Sequence, residues 1–175
     1  LIHRVVFRCK KFCVEIRERQ GADGTVSPCE VVVHPGAVVI LPFVDAERIC
    51  MIRNLRASVG ETLWELPAGT LEPSESPENC AQRELAEETG YRAACLRKLA
   101  EYYPSPGVLD ERMHLFVAEQ LTLGERQPES DERIEPRVVA WRQALEWTTD
   151  GTIRDGKTLV GILLWERLRC GGTGR

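Results

Sequence analysis

Phe12, Val14 and Ile16 recur at every second position, with Glu15 and Arg17 among the residues between and beyond them, and Val5-Val6-Phe7 lies just upstream. A period of two predicts a pair of half-buried strands with a bend at Lys10-Lys11. Residues 20–28, QGADGTVSP, are polar and punctuated by Gly and Pro, and are expected to form a loop. The run over residues 31–44 is almost continuously apolar, broken at His34-Pro35-Gly36. That pattern predicts two buried strand segments on either side of a turn. A strand over 48–52 follows and leads into Arg53-Asn54-Leu55-Arg56, after which residues 63–69, LWELPAG, deliver the chain to its helical part.

There the period changes. Ala81 and Leu85 stand four apart among polar residues, Ser76 suits an N-cap, Pro77 a first helical position, and Gly90 a left-handed stop. A helix is therefore expected over 77–89. Strands over 93–103, 113–118 and 138–141 and a short helix over 143–147 come next. Two loops, 102–107 and 124–133, separate them, and the acidic second one has the composition of a linker or an active-site flap. Asp155 is placed to cap a last helix over 157–169, with Leu159, Ile162, Leu163 and Leu168 as its apolar stripe.

Composition narrows the class without naming it. The 175 residues suit one domain, and 43% hydrophobic with 29% charged residues is ordinary for a globular protein. A net charge of -4 argues against a nucleic-acid-coating surface, and no apolar run approaches a membrane span or a signal-peptide core. The seven cysteines are scattered, odd in number and without a C-x-x-C pair, so reduced thiols in a cytoplasmic protein are expected. His34, alone before Pro-Gly, reads as a turn or packing residue.

The chemistry is concentrated on the predicted helix. Glu84 lies three residues from Glu87 and four from Glu88, so the three carboxylates share one helical face, while Arg83 and Glu87 are four apart and close enough to pair. A Glu-rich helix face is ordinarily just solvated. Three crowded carboxylates can also hold a hard divalent cation, which prefers oxygen ligands and binds where carboxylates meet phosphates.

The wider spacing decides between these readings. G-x5-E-x7-R-E-U-x-E-E-x-G-U, with U a bulky apolar residue, is the signature of the Nudix hydrolases. The chain resembles it at every fixed position: Gly69, Glu75, Arg83, Glu84, Glu87, Glu88 and Gly90, with Leu85 and Tyr91 at the apolar positions. Seven fixed residues match by chance on the order of 10⁻⁸ per start position. Other stretches are similar to the ADP-ribose pyrophosphatase group of that superfamily. They are His34-Pro35-Gly36-Ala37, Arg53 to Arg56, residues 63–69, residues 103–111 with Pro106, and Asp155-Gly156-Lys157-Thr158. Asn54-Leu55 departs from the Gln-Tyr common in that group.

The resemblance implies an α+β Nudix fold, an α/β/α sandwich with a mixed β-sheet. Residues 1–30 would form N-terminal strands involved in dimer formation, 31–169 the catalytic domain, and 170–175 a frayed tail. It implies metal-dependent hydrolysis of a nucleoside diphosphate linked to another moiety, with ADP-ribose the foremost substrate. GDP-mannose, another nucleoside-diphosphate-sugar or an oxidised nucleotide stands as alternative, and a silent nucleotide-binding module as a third reading. Mg²⁺, or Mn²⁺ in its place, would be held by Glu84, Glu87, Glu88 and the Ala68 carbonyl, with Glu75 and Arg83 orienting them. Glu132, or Glu129 beside it, would be the base. Arg56 would meet the phosphates and Glu111 the terminal ribose, with Arg53 a further substrate-binding residue. Gly69 is expected to adopt dihedrals that other residues avoid. Phe7, Phe12 and Trp64 are the candidates for stacking on the base across a homodimer interface.

Overall fold

The computed structural model describes residues 4–126 and 133–171. Its centre is a four-stranded mixed sheet built on β4 (Ala37–Pro42), which pairs parallel with β9 (Met113–Leu123) and antiparallel with β7 (Ala68–Thr70). β8 (Tyr91–Tyr102) completes it, in the order β7-β4-β9-β8. Val38 to Leu41 have no exposed surface at all. Val38 and Ile40 meet Cys80, Ala81 and Leu85 of helix α1 (Pro77–Thr89), together with Phe116 and Ala118 of β9. Val39 and Leu41 face the other way, toward Leu115, Val117 and Ile162 of helix α3 (Gly156–Gly171). A strand covered by helices on both faces has no polar side, which is why its sequence runs apolar without alternation. The α/β/α layering is the expected one.

α1 begins and ends where its caps place it. The Ser76 side chain accepts from the Asn79 N–H at 3.2 Å, Pro77 opens the first turn, and Gly90 at φ 80° donates its N–H to Ala86 O. Only glycine adopts that left-handed conformation without a Cβ penalty.

Beside the mixed sheet stands a second one, β10-β5-β6, formed by β5 (Arg48–Arg56), β6 (Glu61–Glu65) and β10 (Ile134–Ala140). β5 runs past the expected 48–52 to Arg56, and β10 starts four residues before the expected 138. Helix α2 (Trp141–Trp147) begins at Trp141, where a strand end was expected. A third sheet, β1 (Arg4–Arg8), β2 (Cys13–Gln20) and β3 (Val26–Val33), takes up residues expected to be loop, because β3 pairs with β2 along its whole length from Val26 opposite Gln20.

Two packing expectations are corrected. In β2 the buried residues are Cys13 and Glu15, not the apolar Val14 and Ile16. Arg17, on the same side as these two, bridges Glu15 at 3.1 Å and Asp110 at 3.0 Å, and so lays that side against the loop before β9. β1 is exposed along its length, with Phe7 and Phe12 ring centroids 6.0 Å apart. In α3 the buried line is Thr158, Gly161 and Ile162, while Leu163 and Leu168 are exposed. Gly161 sets this rotation: a Cβ there would sit 2.7 Å from Leu66 Cδ1, so the helix approaches the core through its glycine. α3 also continues through Gly171, beyond the expected end. All seven cysteines are free thiols, and among the described residues no helix is long and apolar enough to cross a membrane.

Candidate active site

β7 is an edge strand of the mixed sheet, held by backbone pairing with Ala37 to Val39, and α1 crosses behind it. The helical spacing of Glu84 and Glu88 carries both carboxylates to Ala68 and Gly69. Glu88, 3% exposed, accepts the Ala68 N–H at 2.9 Å. Glu84 lies so close to Gly69 that a Cβ on the glycine would come within 1.8 Å of Glu84 Oε1. Gly69 is not among the positive-φ residues, so the dihedral reason expected for it is wrong. Contact is what demands a glycine there.

Arg83 gathers the remaining carboxylates of the box. Its Nε and one terminal nitrogen take the two Glu75 oxygens at 2.9 and 3.0 Å. The other terminal nitrogen donates to Glu84 at 2.7 Å and Glu87 at 3.0 Å. Arg83 also reaches Thr70 O at 3.3 Å, which ties α1 to β7. Hydrogen bonds from Arg83 hold the Glu75 carboxyl well below the usual carboxylate range, at about 2. A lowered folded-state pKa contributes stability above the unfolded value near 4.5 and loses it as pH falls toward 2. Glu75→Gln is therefore expected to lower stability by about 1–2 kcal/mol at neutral pH. In urea unfolding the gap from wild type should be constant between pH 7 and 5 and should narrow by pH 3. A gap that ignores pH would remove charge from the account.

The other half of the site comes from parts of the chain far apart in sequence. Glu65, at the end of β6 and fully buried, accepts from Arg56 through Nε at 2.7 Å and a terminal nitrogen at 2.6 Å. Its second oxygen also accepts from Lys157 Nζ at 2.6 Å, and Lys157 donates to Asp155 at 2.8 Å. Asp155 caps α3 as expected, taking the Thr158 N–H and hydroxyl, and the Thr158 hydroxyl accepts the Leu66 N–H at 2.8 Å. Glu111 lies 3.2 Å from His34 Nδ1, itself within reach of the Gly36 N–H in the turn before β4.

Arg56, Lys157, Asp155, Glu111 and Ala68 to Thr70 line a cleft of about 380 Å³. Arg56 and Ala68 to Thr70 also line a neighbouring cleft of about 530 Å³, together with Glu84, Arg83, Lys10 and Lys11. The two share one wall, so Glu84 of the box and the Arg56–Lys157 pair face one connected surface. At its margin the Tyr102 hydroxyl is buried without a hydrogen-bond partner among the described residues. Burial, with the charges of Asp155 and Glu111, pushes it up to about 12.

The structure thus brings together Ala68, Gly69, Glu75, Arg83, Glu84, Glu87 and Glu88 at one end and Arg56 and Glu111 at the other. Gly90 serves from a distance, as the helix stop. Arg53 is not brought in: it lies on the opposite side of β5 from Arg56, 5.5 Å over the Trp64 ring. Glu129 and Glu132 lie outside the described residues. Glu65 and Lys157 were not singled out as site residues from the sequence, although both lie in stretches, 63–69 and 155–158, that resemble the ADP-ribose pyrophosphatase group.

The donor set at Ala68 and Gly69 is all oxygen, which suits a hard divalent cation. Among the described residues no three acidic, His or Cys side chains are gathered closely enough to hold one, because Glu84 and Glu87 point to Arg83. Taking up an ion would require these two side chains to turn from the guanidinium, a rotamer change at an exposed cleft.

A family model described as NUDIX domain matches residues 33–159. The ADP-ribose pyrophosphatase of Bacillus subtilis (strain 168) is 38% identical over 159 residues, covering 90% of this chain and 86% of that protein. The GDP-mannose pyrophosphatase of Cronobacter sakazakii is 36% identical over 146 residues, 78% of this chain and 74% of that one. A crystal structure of an ADP compounds hydrolase superposes with a TM-score of 0.84 at 24% identity, covering 100% of this chain and 95% of that one, which speaks for the fold alone.

Proposed function

The chain belongs to the NUDIX domain family and is a Nudix pyrophosphohydrolase; from that premise we propose that it hydrolyses ADP-ribose to AMP and ribose 5-phosphate. The observation that carries this is the single connected surface with Glu84 of the box and the Ala68–Gly69 backbone at one end and the Arg56–Lys157 cations, with Glu111, at the other. A pyrophosphate repels an incoming nucleophile, so its site must neutralise charge on the phosphates and activate a water. Arg56 supplies a planar fork that matches phosphate oxygens. Glu111 offers a carboxylate to the hydroxyls of the terminal ribose. A divalent cation, Mg²⁺ or Mn²⁺, held by Glu84, Glu87, Glu88 and the Ala68 carbonyl, would supply further neutralisation and a bound water of lowered pKa. Glu132 or Glu129, just before β10 in sequence, is the proposed acceptor of that water's proton.

The extent of similarity to the B. subtilis ADP-ribose pyrophosphatase supports this substrate, and the similarity to a GDP-mannose pyrophosphatase favours GDP-mannose as second reading. The exposed apolar β1, with Val5, Val6 and Phe7, offers a surface for the proposed homodimer, and the free thiols fit a reducing cytoplasmic setting. A hydrolysis panel tests the assignment: ADP-ribose, GDP-mannose, NADH, diadenosine polyphosphates and 8-oxo-dGTP, with Mg²⁺ or Mn²⁺ and chromatography of products. ADP-ribose should lead and yield AMP. A faster GDP-mannose reaction would put the second reading first, and no turnover with either ion would defeat both.

A further inference from the structure

His34 Nδ1 meets two groups that make opposite demands on it. The Gly36 N–H donates to it at 3.2 Å, and Glu111 Oε1 lies 3.2 Å away. A bare ring nitrogen accepts the first and repels the second, whereas a protonated one donates to the second and gives up the first. We propose that His34 is a positioning residue for Glu111: the proton on its Nδ1 decides whether that carboxylate is held against the turn or released to the hydroxyls of the substrate's terminal ribose.

The backbone leaves neither partner room to drift. The His34 N–H donates to Asp110 Oδ1 at 2.9 Å and the Ala37 N–H to Arg112 O at 3.0 Å, so the turn is fastened to the chain on both sides of Glu111. Gly36 O accepts the Leu71 N–H at 3.0 Å, just beyond β7, which ties the same turn to the box. The imidazole and the carboxylate are only 14% and 18% exposed, so solvent and salt screen the pair weakly. The neighbouring charges have other partners or stand further off. Asp110 is bridged by Arg17 of β2 at 3.0 Å, and Arg112 turns to Glu101 and Tyr103. Lys10 and Lys11 line the larger cleft beside Pro35, and Arg56 and Lys157 line the smaller one with Glu111. The Tyr102 hydroxyl, under the charge of Glu111, is pushed up to about 12. Among the described residues around Glu111, His34 is the imidazole, the type of side chain whose ordinary charge change falls between pH 5 and 8.

This assignment rests on the reading that a terminal ribose meets Glu111, and the test separates the two. ADP-ribose binding to the full chain is measured by calorimetry in metal-free buffer from about pH 5.5 to 8.5. Wild type, His34→Asn, Glu111→Gln and the double variant are compared, and carboxyl-carbon NMR follows Glu111 over the same range. Wild type should bind roughly three- to tenfold more tightly at the upper end, because a released carboxylate makes a charge-assisted bond that a paired one does not. The Asn side-chain oxygen can take the Gly36 N–H in an Asx turn but carries no proton. His34→Asn should therefore keep the turn, and bind across the range as wild type does at its upper end. Glu111→Gln should bind weakly at every pH, and the double variant no more weakly than Glu111→Gln alone, since His34 acts through Glu111. The Glu111 carboxyl signal should move with the His34 ring signals in wild type and lose that step in His34→Asn. If wild type binds equally at both ends of the range, or His34→Asn keeps the wild-type slope, His34 is only a turn residue and the assignment falls. If the Glu111 signal follows His34 while ADP-ribose does not bind, the hold of His34 on Glu111 stands and the substrate reading fails.

Discussion

Glu88→Gln is expected to lower turnover of ADP-ribose by about 10³-fold or more while leaving the protein folded. The substitution keeps the size of the side chain and an oxygen that can still accept the Ala68 N–H, now at 2.9 Å from the carboxylate. What it removes is a negative charge at a position 3% exposed, one turn along α1 from Glu84. Because the bond to Ala68 and the packing are kept, neutralising it should leave the melting temperature within a few degrees. In catalysis the same charge is one of three carboxylates offered to a cation, and a neutral amide is a far poorer ligand for a hard ion. Steady-state kinetics beside a thermal melt separates the two roles. A variant with wild-type turnover would defeat the assignment of Glu88, and one that fails to fold would show that its bond to Ala68 is structural first.

Much of this architecture is legible in the sequence wherever the determining interactions are local. α1 has its N-cap, its first-turn proline and its left-handed stop within the helix's own span, so its limits follow from short-range chemistry. β4 is legible because burial on both faces leaves an unbroken apolar run. β3 and β10 are obscured by Pro28 and Pro136, which signal breaks. Both strands lie at the edge of their sheets, where a missing N–H can fall on the unpaired side. The site divides the same way. The box is written in helical spacing, whereas Glu65 and Lys157 meet across 92 residues and only the folded chain shows that they share a bond. Arg53 and Arg56 look alike in sequence, and the strand's alternation sends one over Trp64 and the other into the cleft.

The clearest separation of fold from function should come from Gly69→Ala. A Cβ at this position would lie 1.8 Å from Glu84 Oε1 and 1.9 Å from its Cδ, so the two cannot coexist as they stand. The obstacle is the far end of one flexible side chain, and Gly69 is not held at positive φ, so the backbone has no reason to move. Stability should therefore fall by less than about 1 kcal/mol. Glu84, however, must leave its place, giving up its 2.7 Å contact with Arg83 and its approach to the Ala68–Gly69 backbone. Displacing a carboxylate by an ångström or more at a reacting site costs about 10²-fold, and kcat/KM is expected to drop by at least that much. A double variant decides whether Glu84 carries the effect. If the added methyl acts only by evicting Glu84, then Gly69→Ala combined with Glu84→Ala should be no slower than Glu84→Ala alone, because the alanine side chain leaves nothing to evict. Losses that multiply instead would mean that the methyl blocks the substrate or shifts β7, and the contact between Gly69 and Glu84 would then explain the glycine's place in the fold but not its effect on the reaction.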